Sequence, residues 1–170
     1  MILILAAFIH SPVGGLHLVA SLFAMLAGTL MLFRSKGGKT HKNWGYIYAV
    51  AMLATNGTAF MLYQLFGGFG PFHGAAIFSL ITLCMGMYPA ISRKNPDWMR
   101  RHMYWMHYSV VGLYAAFVSE IVVRFPMGIS FFTAVGLGTV AVLVAGMWMI
   151  HRKAQYWMQE GGKSLRKEAN

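Results

Sequence analysis

Charged residues are scarce in this sequence, and acidic ones are the scarcest. Of the 170 residues, 11% are charged and 58% are hydrophobic, and only four are Asp or Glu. A soluble domain is about a quarter charged and closer to half apolar, so an ordinary soluble fold is excluded. Cysteine is almost absent too. Cys84 stands alone inside an apolar segment, so the chain has no disulfide framework and indicates no redox compartment.

Short motifs typical of enzymes are missing as well. The sequence contains no HExxH zinc motif, no phosphate-binding glycine loop and no recognisable nucleophile–base pair. The first ten residues contain no Lys or Arg, so they lack the positive region of a secretory signal peptide. We therefore expect residues 1–10 to belong to the mature protein, and the sequence predicts no particular reaction.

What the sequence has instead is five apolar runs, each close to the roughly 20 residues that a helix needs to cross a bilayer. They cover residues 13–33, 44–66, 72–92, 103–123 and 131–150. Only a helix satisfies the backbone of a lone span in lipid. The sequence therefore predicts an all-α integral membrane bundle of five transmembrane helices within residues 1–150. A basic cytoplasmic tail over residues 151–170 is expected to lie on the membrane surface.

Basic residues fall almost entirely on one side of this predicted bundle. Four lie between the first and second runs, four between the third and fourth, and five after the last; Arg124 is the remaining one of the 14. Cytoplasmic loops carry the excess Lys and Arg, so we expect the N-terminus outside and the C-terminus inside a bacterial cytoplasmic (inner) membrane. Clusters between apolar runs also argue against nucleic acid and favour anionic lipids as partners.

Three ionisable residues are expected at one height near the outer face. His17 and His73 begin inward-running helices, and Glu120 ends an outward-running one. Such residues are costly in a membrane and usually functional, and two imidazoles with a carboxylate suit zinc or non-haem iron. Asn56 and Arg124 are the expected second-shell partners. The alternative is that Glu120 simply pairs with Arg124 along its helix and that the histidines are interfacial.

A second cluster is expected on the inner side. His41 and His102, with His151 as a further candidate, lie among basic residues. One interpretation is a lipid-headgroup surface, and the other is a cofactor-binding pair. Haem b needs two histidines from facing helices, and His41 with His102 meets that need. His17 with His73 would make a second pair, although no helix carries two histidines about 13 residues apart, the usual stacking for two haems. His107 lies opposite Glu120 on its helix and is interpreted as interfacial.

Several segments resemble a family of predicted small polytopic bacterial membrane proteins of unknown function. The segments are 39–48 (KTHKNWGYIY), 56–59 (NGTA), 68–73 (GFGPFH), 79–82 (SLIT) and much of 102–124, and the resemblance covers about residues 14–125. It implies a helical membrane protein whose polar family positions are His17, His41, His73, His102 and Glu120. It implies no reaction. An aromatic residue commonly stands at the position of His107, which favours an incidental role for that histidine.

Three functions remain open at this point. The leading prediction is a membrane protein with a metal site formed by His17, His73 and Glu120. The second is electron transfer with haem b or a quinone. The third is a transporter or an accessory subunit of a membrane complex, with a homo-oligomer as a further possibility.

Overall fold

The computed structural model describes residues 11–34, 36–63, 67–124, 128 and 130–169, apart from the side chains of residues 123, 124, 164, 165, 168 and 169. This part of the chain forms five helices and no strand, which confirms the all-α prediction. The helices are α1 (Pro12–Phe33), α2 (Gly38–Ala59), α3 (Pro71–Ser92), α4 (Trp98–Arg124) and α5 (Phe131–Ala169).

Prolines and polar caps explain where three of the helices begin. Pro12 and Pro71 occupy the first turns of α1 and α3, where a missing backbone N–H costs nothing. The Ser11 hydroxyl accepts a hydrogen bond from the Gly14 N–H at 3.1 Å. Before α4, Asn95 Oδ1 accepts from the Asp97 N–H at 2.8 Å and forms a turn that leads into the helix. Helix α4 begins at Trp98, before the apolar run at 103–123.

Two helices depart from the predicted bounds. Helix α2 begins at Gly38 and ends at Ala59, so it starts and stops earlier than its apolar run. Helix α5 continues to Ala169, and its 39 residues span about 58 Å. The tail is therefore helical and continuous with α5, not a separate segment. This last part of α5 packs against α4, because Ala154 and Trp157 are buried in a cluster with Met103 of α4.

Within the described residues, three helices are long and apolar enough to cross a membrane: α1, α3 and the Phe131–Lys163 part of α5. Helices α2 and α4 are less apolar because they begin with basic residues and bury polar ones, including Asn56 and Ser109. Such residues are tolerated where a helix faces protein instead of lipid. Five helices in the described residues are confirmed, whereas the crossing of the membrane by all five and their orientation stay predictions.

Helix α4 is central, because it packs against α1, α3 and α5. Small residues allow these close contacts, as expected for helices in lipid. A side chain at Gly28 of α1 would meet Tyr48 and Val110 at 3.1 Å, and one at Gly86 of α3 would lie 3.1 Å from the backbone nitrogen of Met106. Large apolar side chains cover the outside of the bundle, among them Phe23, Phe33, Val50, Phe78, Phe132 and Trp148.

Candidate cofactor site

The bundle has two unlike ends. We call one the basic end; it contains the α1–α2 connection, the α3–α4 connection and the last third of α5. We call the other the apolar end; it contains the starts of α1, α3 and α5 and the ends of α2 and α4. A cavity of about 470 Å³ opens at the basic end and is lined by His41, His102 and His107. We refer to it as the histidine cavity.

His41 of α2 and His102 of α4 both line this cavity, and their rings make a T-shaped contact. Their ring centres are 6.2 Å apart and their planes are nearly perpendicular, at 82°. A metal–imidazole bond is about 2.0 Å and the ring centre lies about 1.2 Å beyond the nitrogen, so two imidazoles on opposite sides of one ion have centres about 6.4 Å apart. The 6.2 Å separation of the ring centres is close to this value, so both imidazoles could hold one metal ion.

The hydrogen bond of His102 leaves it ready to bind a metal. Its Nδ1 lies 2.8 Å from the Gly86 carbonyl oxygen, which can only accept, so Nδ1 carries the proton and donates. The other nitrogen, Nε2, then has a free lone pair. Metal-binding histidines usually donate their second nitrogen to such a partner. Gly86 can provide this carbonyl because its missing side chain lets α3 approach α4 closely.

His107 is a member of the cavity that the sequence interpretation missed. It is 6% exposed, and its ring centre lies 4.1 Å from that of Trp157. Its Nδ1 donates to the Met103 carbonyl at 2.6 Å, while its buried Nε2 has no hydrogen-bond partner among the described residues. The interfacial interpretation was wrong because α4, being central, buries more than one face. The histidine is covered by Trp157, which lies in the segment predicted to be a separate tail.

The remaining wall of the cavity is apolar with a few cations. Tyr48 lies inside, 1% exposed, with its hydroxyl 2.8 Å from the Ser109 hydroxyl. Methionine is flexible and polarisable, so it adapts to the shape of a ligand. Six methionines line the cavity: Met31, Met87, Met99, Met103, Met106 and Met158. Lys36, Lys42 and Arg93 line it as well. This wall suits a ligand with an apolar body and anionic groups.

Lys36 is an unusual cation because it is only 9% exposed. Its ammonium group donates to the carbonyl oxygens of Met31 and Leu32, the latter at 3.3 Å, and so caps the end of α1. It lies 5.2 Å from the ring centre of Trp157. Burial lowers the pKa of Lys36 to about 8, although nearby Glu160 acts in the opposite direction. Sequence reading counted this lysine only as a loop charge.

The chain was compared with protein-family models, curated proteins and solved structures. The family model described as "Predicted membrane protein (DUF2306)" matches residues 14–157. The chain belongs to this family. No curated protein and no solved structure gives a significant match. Membership confirms the resemblance noted from the sequence, and together with the apolar helices it makes the chain a membrane protein; it adds no reaction.

At the apolar end, the DUF2306 chain brings together two of the three predicted metal ligands. His17 Nε2 of α1 lies 3.6 Å from Glu120 Oε1 of α4. His17 Nδ1 lies 3.1 Å from the Thr55 carbonyl oxygen, to which it donates, and 3.0 Å from the Thr58 hydroxyl. The imidazole therefore links α1, α2 and α4. With Nδ1 protonated, Nε2 faces the carboxylate, and the two groups can share a second proton or a cation.

The third predicted ligand, His73, is held differently. Its Nδ1 accepts a hydrogen bond from the Gly70 N–H at 3.1 Å, so a neutral ring carries its proton on Nε2. That nitrogen is buried without a partner in the described part, and the ring lies between Tyr63 and Phe69, with centres 4.9 Å away on each side. Among the described residues, no three His, Cys, Asp or Glu side chains group to hold a metal. The three-ligand grouping is thus not formed there.

The other predicted site residues have simpler surroundings. Asn56, expected to support a ligand, is buried and donates to the Met52 carbonyl of its own helix at 2.7 Å. The side chain of Arg124, and with it the predicted pairing to Glu120, lies outside the described residues. His151 is exposed on α5, whereas His41 and His102 line the histidine cavity.

Proposed function

We propose that this membrane protein binds haem b in the histidine cavity, with His41 and His102 as the axial ligands, and that it transfers electrons. The observation that carries the proposal is the 6.2 Å separation of the two imidazole centres. The Nδ1 donation of His102 to Gly86 supports it, because a free Nε2 lone pair is what an axial ligand needs.

The cavity around the pair suits the same group. Its volume of about 470 Å³ is that of a small-molecule or cofactor pocket. The methionine and aromatic wall matches a flat apolar macrocycle, and Lys36, Lys42 and Arg93 match its carboxylate substituents. A haem iron held by both histidines would have no open position for a substrate. This arrangement favours electron transfer, with a membrane quinone as the natural exchange partner.

The test is a visible spectrum and a haem assay on protein purified in mild detergent, before and after addition of haemin. We expect a Soret band with one haem per chain. We expect its loss in both His41→Ala and His102→Ala, with retention in the control His151→Ala, an exposed histidine of the same end. Absence of bound haem after haemin addition to folded wild-type protein overturns the proposal.

A second candidate is a metal ion, zinc or iron, at the apolar end. The observation in its favour is the 3.6 Å approach of His17 Nε2 to Glu120 Oε1. A zinc site normally uses at least three protein ligands, so a further ligand, such as a re-oriented His73, has to complete it. Elemental analysis separates the two candidates. If wild-type protein contains zinc or haem-free iron and His17→Ala loses it, the result supports this site. If wild-type protein contains neither metal, the candidate is rejected.

A further inference from the structure

A second cavity of about 370 Å³ lies beside the histidine cavity and shares Lys36, Gly37 and His41 with it. We call it the basic vestibule. It is formed by the end of α1, the α1–α2 connection, the first turn of α2 and the last third of α5. Among the described side chains, Glu160 is the one carboxylate that lines it, and five cations do so: Arg34, Lys36, Lys39, Lys163 and Lys167.

Gathering these cations is unfavourable unless an anion offsets their charge. Lys163 and Lys167 are four residues apart in α5, so they share a face of the helix and repel each other. Lys36 is nearly buried between this face and the end of α1, which removes much of its hydration. Glu160 offsets only one of the five charges. The cavity therefore has an excess of positive charge and room for a ligand.

The first turn of α2 adds to the attraction for anions. Gly37 stands at the N-cap position, where it provides no side-chain hydrogen bond, and the turn contains no acidic residue. Gly38, Lys39 and Thr40 of this turn line the vestibule. Open backbone N–H groups and the positive end of the helix dipole favour a negative group there.

We propose that the basic vestibule binds a phosphate group, carried either by an anionic lipid headgroup or by a soluble molecule. A phosphomonoester carries about −1.5 to −2 charges and three acceptor oxygens, so it matches several cations better than a single carboxylate does. Lysine is a common phosphate ligand. The proposal does not rest on haem in the neighbouring cavity, because Arg34, Lys39, Lys163 and Lys167 line the vestibule and not the histidine cavity.

The experiment uses the full chain in nanodiscs of zwitterionic lipid. Phosphatidic acid is titrated into the discs in one arm, and inorganic phosphate and pyrophosphate into the buffer in the other. The variant Lys39→Gln with Lys163→Gln removes two exposed vestibule cations. The control Lys94→Gln with Lys153→Gln removes two exposed charges from the same end, neither of which lines either cavity.

We expect saturable binding of either phosphatidic acid or the soluble phosphates. The arm in which it occurs identifies whether the phosphate group comes from a lipid or from a soluble molecule. The vestibule variant is expected to weaken it about tenfold or more, since each surface lysine contributes about 1 kcal/mol towards an anionic group. The control is expected to stay within twofold. Equal weakening by both variants, or no binding in either arm, overturns the proposal. So does loss of haem from the vestibule variant alone, because the cations would then serve the cofactor.

Discussion

At the basic end of the bundle, His102 and His107 donate through Nδ1 to backbone carbonyls. At the apolar end, His73 accepts through Nδ1 from a backbone N–H. His17, also at the apolar end, donates through Nδ1 to the Thr55 carbonyl, so the difference lies between His73 and these three histidines. Residue type alone does not distinguish these states; the backbone group within reach of Nδ1 does. The comparison explains why His102 at the basic end, and not His73 at the apolar end, is the histidine proposed as a ligand.

The largest expected effect concerns which end lies inside the cell. In a Cys84→Ser background, a membrane-impermeant thiol reagent applied to whole cells should label Ser130→Cys at the apolar end fully. It should leave Lys94→Cys at the basic end unlabelled, because basic loops stay in the cytoplasm. Both positions are exposed, so lysed cells serve as the control in which each should react. The reverse labelling would place the histidine cavity on the outer side.

The second-largest effect is expected when the Gly86 carbonyl is moved away from His102, to which it is hydrogen-bonded. A side chain at Gly86 would meet Met106 Sδ at 2.6 Å and Met106 N at 3.1 Å, so Gly86→Val should push α3 away from α4. We expect a loss of about 1–3 kcal/mol in the free energy of unfolding and about 10–100-fold in haem affinity. The control Gly74→Ala lies on the same helix, where an added methyl group meets nothing within 4 Å. Haem titration and thermal unfolding measure both effects, and equal behaviour of the two variants contradicts the role of Gly86.

Lys36 gives the basic end a pH dependence of stability. Its pKa falls from 10.5 to about 8 on burial, so between these pH values the unfolded chain binds more protons than the folded one. Stability should therefore rise with pH across this window and be unaffected by this group below it. We expect the unfolding temperature of wild type relative to Lys36→Met to rise by up to about 5 °C between pH 7.5 and 9.5. Lys153→Met, at an exposed position, is the control. If the difference in unfolding temperature between wild type and Lys36→Met does not change with pH, Lys36 is not buried as a charged group.

The smallest effect tests the contact at the apolar end. A double-mutant cycle of His17→Asn and Glu120→Gln should give a coupling of about 1 kcal/mol, the range of a partly exposed ion pair. Haem content should stay unchanged in all three variants, because this pair lies at the other end of the bundle. A coupling near zero shows that the 3.6 Å approach contributes nothing to stability, and haem loss would show that the two ends are not independent.

Much of the bundle follows from local signals in the sequence. The apolar runs that begin at residues 13 and 72 predict the starts of α1 and α3 to within a residue, and the five runs correspond to the five helices. The pair of His41 and His102 was also expected, since both residues fall among basic residues at one level. These features depend on short-range chemistry or on simple helix geometry.

Other features depend on which segments meet in space. His107 is buried because Trp157 of the extended α5 covers it, and the sequence predicted a separate tail there. Lys36 is buried for the same reason. The tautomer of neutral His73 follows from the position of the Gly70 N–H, and the pattern of apolar residues in the sequence does not predict that position. Long-range packing and the direction of single hydrogen bonds are therefore what sequence reading could not supply.

Electron paramagnetic resonance of the oxidised, haemin-loaded protein tests the axial pair most directly. Two imidazoles at nearly perpendicular planes should yield a strongly anisotropic low-spin ferric signal that disappears in both His41→Ala and His102→Ala. A high-spin signal from the wild-type protein, or a low-spin signal that survives in either variant, would contradict ligation by these two histidines.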